Sequence, residues 1–211
     1  MDYLKKLNKV IPSGAHTYSR AHDQFSSNTP SIFKRGKGAY LFTENKKKFL
    51  DYGMGLRSVG IGYSEDKINR AAFEAIKFGN NLTKPSHIEL MAAETIIKNF
   101  KNIEMVKFAK HGSVAVTGAV KLARAYTKKE YILRCSNHPF FSFDDWFISS
   151  TNFKEGIPKS ISRYTINFRY LDVVGLKNLI KKYKNQISCL VMEASTISCP
   201  TKMCCMKFPC K

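Results

Sequence analysis

The sequence predicts an α/β fold: a mostly parallel sheet with helices on both faces, preceded by a small antiparallel segment. Three observations carry this. From Tyr131 to Glu193 apolar runs of strand length alternate with helical periodicity, the pattern of parallel strands joined by crossover helices. Upstream, an apolar run gives way to a helical one across the turn His111-Gly112-Ser113. Residues 31–52 hold three short apolar runs separated by turn formers, which reads as an antiparallel meander. With 211 residues, 44% of them hydrophobic, the chain can build a sizeable core.

Taken in order, Tyr3, Leu4, Leu7 and Val10 predict a short helix that stops at Ile11-Pro12-Ser13-Gly14. A polar loop follows from Ala15 to Thr29. Its Arg20 reads either as a surface charge or as a fork for a carboxylate. In the meander the expected strands are Ile32-Phe33, Ala39–Phe42 and Phe49–Tyr52, with Arg35–Gly38 and Thr43–Lys46 between them. Gly53, Gly55, Gly60 and Gly62 then suggest close backbone approach to something, although no G-x-G-x-x-G precedes a helix. Ser64 is placed to cap a helix whose inward face would be Ile68, Ala72, Ala75 and Ile76, closed by Gly79. Ser86-His87-Ile88-Glu89 fits a capping box, with Ile88, Met91, Ala92, Ile96 and Phe100 as the apolar face and His87 on the surface.

Met105, Val106, Phe108 and Ala109 predict a strand leading into the Gly-Ser turn. Beyond it Val116, Ala119, Val120, Ala123 and Tyr126 recur at helical spacing, with Lys121 and Arg124 turned away. Gly112 lets the backbone turn without a Cβ in the way, and Ser113 can cap the helix and offer a hydroxyl. Free N–H groups and the helix dipole would then favour an anion such as a phosphate, though an ordinary capped turn has the same local pattern. Downstream, strands are expected at Tyr131–Cys135, Tyr164–Phe168 and Ile187–Glu193, the last one buried. A loop over Asn137–Trp146 enters a short helix, and a longer helix covers Val173–Tyr183. Ligands collect at the carboxyl ends of such strands. That rule gathers His111-Gly112-Ser113, Asn137-His138-Pro139-Phe140 and Glu193.

The formal charge of +19, from 35 Lys and Arg against 16 Asp and Glu, invites a nucleic-acid reading. The basic residues are scattered as Lys46-Lys47-Lys48, Lys128-Lys129 and Lys181-Lys182 with no arginine-rich arm, so solvated faces account for most of them and no nucleic-acid partner is expected. No apolar run is long enough to span a bilayer, and the start Met1-Asp2-Tyr3-Leu4-Lys5-Lys6 lacks a signal segment. The expected compartment is the cytoplasm, without a membrane partner. Five of six cysteines fall in the last 23 residues, without the short separations or a nearby histidine of a zinc knuckle, and a disulfide framework is not expected in a chain with no secretion signal.

Together these residues resemble the class III, fold type I pyridoxal-phosphate aminotransferases, especially the glutamate-1-semialdehyde aminomutase-like branch. The likeness runs from about Ile11 to Glu193. It rests on Ile11-Pro12-Ser13-Gly14 with Arg20-Ala21, Lys34–Phe42, Phe49-Leu50-Asp51-Tyr52, His111-Gly112-Ser113, Lys121–Thr127 and Val191-Met192-Glu193, in the family's order. The resemblance implies pyridoxal 5′-phosphate as cofactor, a small-molecule amino donor and a carbonyl substrate as partners, and a homodimer in the complete form. It also implies roles: Gly112 and Ser113 cradle the phosphate; His138, with Phe140 in reserve, stacks on the pyridine ring; Glu193 ends the strand before the cofactor's acidic partner; Arg20 grips a substrate carboxylate.

Departures from the family pattern are Val114, where an acidic residue is usual, and His111, where Ser or Asn is commoner. The family chemistry also needs an aspartate on the pyridine nitrogen and a Schiff-base lysine. The resemblance places both beyond Glu193, so no catalytic residue is assigned. The expected organisation is an N-terminal segment over 1–60, part of the large cofactor-binding domain over 61–193, and a Cys-rich tail over 194–211 from a frameshift or early stop. On this reading the chain is about the first half of a member and inactive alone. A catalytically dead partner of a complete aminotransferase is the alternative, and a basic anion- or nucleic-acid-binding protein a further one.

Overall fold

Asp2 starts the first helix, α1 (Tyr3–Val10), by accepting a hydrogen bond from the Lys5 N–H at 3.1 Å, and Pro12 follows its end. The computed structural model describes residues 2–138 and 140–193, so the expected tail over 194–211 lies outside the described residues. The chain groups into two compact units, Met1–Leu90 and Met91–Lys211.

In the first unit the loop after α1 is broken into short 3₁₀ turns at Pro12–Gly14, Tyr18–Arg20 and His22–Gln24. The antiparallel meander forms as expected from β1 (Arg35–Lys37), β2 (Tyr40–Phe42) and β3 (Lys48–Leu50). Its first strand, however, falls on the expected turn rather than on Ile32-Phe33. Gly36 explains the shift, because a Cβ there would lie 2.5 Å from the Tyr63 ring, which packs on the strand in the space a side chain would fill. Gly38 pairs with Tyr63 in an isolated bridge, and a Cβ on Gly62 would meet the Gly38 backbone at 3.1 Å. The close approach that the glycines suggested is therefore, at Gly62, to the meander itself.

α2 (Met54–Arg57) is a single turn with φ of 46° at Met54, 57° at Gly55, 58° at Leu56 and 68° at Arg57, a left-handed run that L-residues rarely adopt. α3 (Asp66–Ile76) is capped by Glu65, whose Oε2 accepts from the Lys67 and Ile68 N–H groups at 2.7 and 3.0 Å. The expected cap Ser64 instead takes a positive φ of 54° and accepts a bond from the Asn69 amide. Nor does the predicted face of α3 point inward, since Ile68 and Ile76 are 52% and 60% exposed. α4 (His87–Asn99) begins at Ser86, whose hydroxyl accepts from the Glu89 N–H at 3.3 Å; His87 is exposed as expected, and so are Ile88, Met91 and Phe100 of its predicted apolar face.

In the second unit, residues 105–109 form no strand. The sheet has the order β5-β4-β6, and nothing among the described residues pairs with Met105–Ala109; an isolated extended segment has no ladder to hold it. α5 (Gly112–Thr127) starts earlier than its apolar period, and its buried side is Thr117 and Val120 with Val116 and Ser113 half-buried. The expected Ala119 and Tyr126 are exposed. Arg124 is half-buried because its Nε reaches back to the Glu130 carbonyl at 2.9 Å.

The parallel sheet of β4 (Tyr131–Cys135), β5 (Thr165–Phe168) and β6 (Ile187–Val191) is as predicted, with short helices α6 (Asp145–Ile148) and α7 (Lys159–Ser162) between β4 and β5 and α8 (Val173–Lys182) between β5 and β6. Central β4 is buried on both faces. Ile132 packs with Val120, Trp146 and Phe147 on one side. Leu133 and Cys135 pack with Phe168, Leu176 and Leu179 on the other. Ile132, Leu133 and Cys135 are 0%, 1% and 0% exposed, so the pleat's alternation serves two cores at once. Among the described strands β6 is an edge, half-buried rather than buried, and Leu190 is exposed. Among the described residues no helix is long and apolar enough to cross a membrane.

Candidate functional site

α5 leads directly into β4, so a helix packed on the sheet face runs antiparallel to the strands and brings its N-terminus to their carboxyl ends. That end is uncapped. His111 occupies the cap position in extended conformation with no side-chain hydrogen bond, and Ala115 is the first residue to bond back, to the His111 carbonyl at 3.2 Å. The N–H groups of Gly112, Ser113 and Val114 therefore have no helical partner. A Cβ on Gly112 would meet nothing within 4 Å among the described residues, which leaves space beside it for a ligand.

Ser113 does not cap the helix. Its Oγ accepts from the Phe143 N–H at 3.2 Å, and its carbonyl accepts from the Ser142 hydroxyl at 3.4 Å. These bonds tie the loop after β4 to the first turn of α5. Ser142 is fully buried and shares a 2.8 Å hydrogen bond with Thr117, whose Oγ1 also accepts from the Trp146 indole at 2.9 Å. Sequence reasoning missed this network. The signal that could have found it is the single tryptophan: an indole N–H buried in a core needs an acceptor, and Thr117 interrupts an otherwise apolar helix face.

His138 lies just past β4 and is 4% exposed, with its ring 4.8 Å from that of Tyr170 and 6.2 Å from that of Phe141. Its Nδ1 accepts from the Glu193 N–H at 2.8 Å, which joins the carboxyl ends of β4 and β6. Phe140 is 60% exposed and meets Phe147 edge-to-face at 5.5 Å. Arg134, unnoticed in the sequence, is 6% exposed: Nη2 donates to the His138 carbonyl at 3.2 Å and the guanidinium lies 4.7 Å from the Phe147 ring centroid. Burial pulls its pKa below the ordinary arginine value, and its Nε has no acceptor among the described residues.

The structure thus gathers Gly112 and Ser113 with the loop after β4, and His138 with Glu193. Arg20 belongs to the first unit, exposed at the end of the Tyr18–Arg20 turn. There Tyr63 donates to Asp51 at 2.6 Å; burial, then the hydrogen bond to Asp51, raises the Tyr63 pKa, while the Arg20 charge lowers it. A surface cleft of about 560 Å³ lies beside Asn8, His16, Tyr18 and His22 in the same unit.

Residues 21–197 match the family model of the class-III aminotransferases. The glutamate-1-semialdehyde 2,1-aminomutase of Wigglesworthia glossinidia brevipalpis is 31% identical over 198 residues, which cover 89% of this chain and 45% of that protein. The aminomutase of Francisella philomiragia is 27% identical, with 88% and 45% covered. Among solved structures, an omega-transaminase from Sphaerobacter thermophilus aligns with a TM-score of 0.80 at 21% identity, over 90% of this chain and 45% of that one. The FumI protein of Sphingopyxis sp. MTA144, in a form containing pyridoxal phosphate, gives 0.81 at 25%, over 90% and 44%. The chain spans a little under half the length of the relatives it matches and has the fold of type I pyridoxal-phosphate transaminases. By sequence and by fold, it belongs to the class-III aminotransferases.

Proposed function

We propose that this chain is the amino-terminal portion of an enzyme that transfers an amino group between a small-molecule amino donor and a carbonyl substrate, or moves it within one molecule, and that it supplies the anion-holding side of the cofactor site. Pyridoxal phosphate is the cofactor the family indicates. The carrying observation is the uncapped start of α5, where three N–H groups and open space beside Gly112 meet at the carboxyl end of a parallel sheet. These residues fit the group: Gly112, Ser113 and Val114 N–H would hold its phosphate, the loop after β4 would wall its ring, and Glu193 would stand at the edge of β6. When bound, the cofactor supplies an electron sink for bonds at the substrate's amino carbon. The chain's own part is to bind and orient. Arg20, as an exposed guanidinium, is suited to a substrate carboxylate.

Titration with pyridoxine 5′-phosphate and with pyridoxine, neither of which carries an aldehyde that surface lysines would trap, tests the cradle. The phosphate ester should bind about tenfold tighter or more. Gly112→Ala should erase most of that preference while leaving the fold intact, because among the described residues its methyl meets no protein atom within 4 Å and would enter the space assigned to the anion. Equal binding of the two compounds would sink the reading. A second reading, a partner subunit for a complete relative, draws on the exposed Phe73 and Phe78 of the first unit and would be favoured by co-purification with a full-length aminotransferase.

A further inference from the structure

We infer that His138 is a latch between β4 and β6, a positioning residue that sets Glu193 at the edge of the site, and that the aromatic face offered to a bound ring is that of Phe140. This rests on the cofactor reading only for what Phe140 and Glu193 then do; the latch itself needs no ligand. Four observations support it.

First, His138 is enclosed. At 4% exposure, with Tyr170 on one side and Phe141 on another, its imidazole has no free face to lay against a planar ligand. Second, its Nδ1 is committed. The Glu193 N–H donates to it at 2.8 Å, so Nδ1 carries no proton and the ring is the Nε2–H tautomer. Any tautomer with a proton on Nδ1 would set two donors against each other. The bond also gives the Glu193 N–H, which lies past the end of the β6 ladder, its only acceptor among the described residues. Third, Arg134 holds the latch from below, with Nη2 on the His138 carbonyl and its guanidinium stacked over Phe147. A buried cation spent on a carbonyl and a ring is costly, and what it fixes here is the backbone that carries the imidazole. Fourth, Phe140, two residues on, has what His138 lacks: it touches the core by an edge at 5.5 Å and 77° to Phe147 and keeps 60% of its surface in solvent.

The remaining valence of the latch is Nε2–H, a buried donor with no acceptor among the described residues. A lone buried donor is destabilising unless something pairs with it. Its presence marks this ring as held in place by what it does for Glu193 rather than by its own satisfaction.

The test uses the ¹⁵N-labelled chain. Long-range ¹H–¹⁵N spectra should show His138 with its proton on Nε2 and none on Nδ1. Amide exchange at Glu193 should accelerate about tenfold in His138→Leu, the loss of one hydrogen bond worth roughly 1.4 kcal/mol. It should return toward the parent rate in His138→Asn, whose Oδ1 occupies the Nδ1 position, while His138→Gln, which mimics only the Nε2 end, should not restore it. A protonated Nδ1 in the parent, or unchanged Glu193 exchange in a folded His138→Leu, overturns the latch; if that variant does not fold, the parent's tautomer decides. In titrations with pyridoxine 5′-phosphate, Phe140→Leu should weaken binding several-fold and His138→Asn should leave it near the parent value, and the reverse pattern assigns the ring face to His138. Absence of binding by the parent would defeat the cofactor reading and the Phe140 assignment while leaving the latch to the exchange result.

Discussion

The two units differ in what holds them. Among the described residues the first unit buries a single hydrophobic side chain, Ala21, whereas the second buries Val120, Ile132, Leu133, Cys135, Trp146, Phe147 and Phe168. The described ion pairs run the other way. Lys5–Asp2, Lys34–Glu44, Lys37–Asp66 and Lys77–Glu74 all lie in the first unit and on its surface, where such pairs add about 0–1 kcal/mol each. The difference follows from layers. A parallel strand with a helix against each face buries nearly every residue, as β4 does from Ile132 to Cys135, while the three-stranded meander leaves Leu50 and the following Tyr52 in water.

The sharpest way to break this contrast is to remove one large ring from each unit. Phe147 is 2% exposed and meets Phe140, Phe141 and Trp146, so Phe147→Ala should cost about 3–5 kcal/mol in urea unfolding. Phe73 is 62% exposed, and Phe73→Ala should stay within about 0.5 kcal/mol. Equal losses would mean that the exposed faces of the first unit are packed in solution.

A smaller effect tests the buried network. Thr117→Val keeps the shape of the side chain and removes the acceptor of the Trp146 indole together with the partner of Ser142. The expected cost is about 1–3 kcal/mol, since the buried indole N–H loses its acceptor while Ser142 keeps its bonds to Ser113 and Asp144. Trp146→Phe added to Thr117→Val should cost less than the sum of the two single changes, because the indole N–H that the first change orphans is gone. Strict additivity, read by the same unfolding curves, would show that the bond contributes nothing.

How much of this was legible in the sequence divides along the same line. β4, β5, α8 and β6 were all readable, because short apolar runs of strand length alternate there with an amphipathic helical period in the residues themselves. The meander was readable as three apolar runs, but its first strand was not placed: Arg35-Gly36-Lys37 reads as a turn until Tyr63, 27 residues away from Gly36, is known to pack on it. The strand at Met105–Ala109 was expected from composition alone and has no neighbour to pair with in the described residues. At the site, Gly112, Ser113 and Glu193 are expected from motif and position. The role of Ser113 is not, since its hydroxyl bonds to the Phe143 N–H, a loop contact that no local pattern encodes. His138 was picked as an aromatic ring, and its burial and its bond to Glu193 depend on the β4–β6 register.

The smallest effect sharpens the comparison through acid. In the first unit, burial pushes the Asp51 carboxyl up, but hydrogen bonds from the Tyr63 hydroxyl and from the Gly53, Gly55 and Met54 N–H groups outweigh it and hold the pKa below the ordinary carboxylate value. A depressed folded pKa stabilises the fold at pH values above the unfolded carboxyl's pKa of about 3.9, and that contribution is lost as the pH falls through the lower folded value. The left-handed turn Met54–Arg57 depends on the same carboxylate, through the bonds to Gly53 and Gly55, and should loosen first on acidification. Amide exchange at Gly53 and Gly55, taken relative to each amide's intrinsic rate and followed from pH 5 downward, should rise as Asp51 takes up its proton, and Asp51→Asn should flatten the rise. The Thr117–Trp146 bond of the second unit has no titrating atom, so the Trp146 indole N–H serves as the internal reference. If both units loosen together, or if Asp51→Asn keeps the acid dependence, Asp51 is not the group that ties the turn to pH.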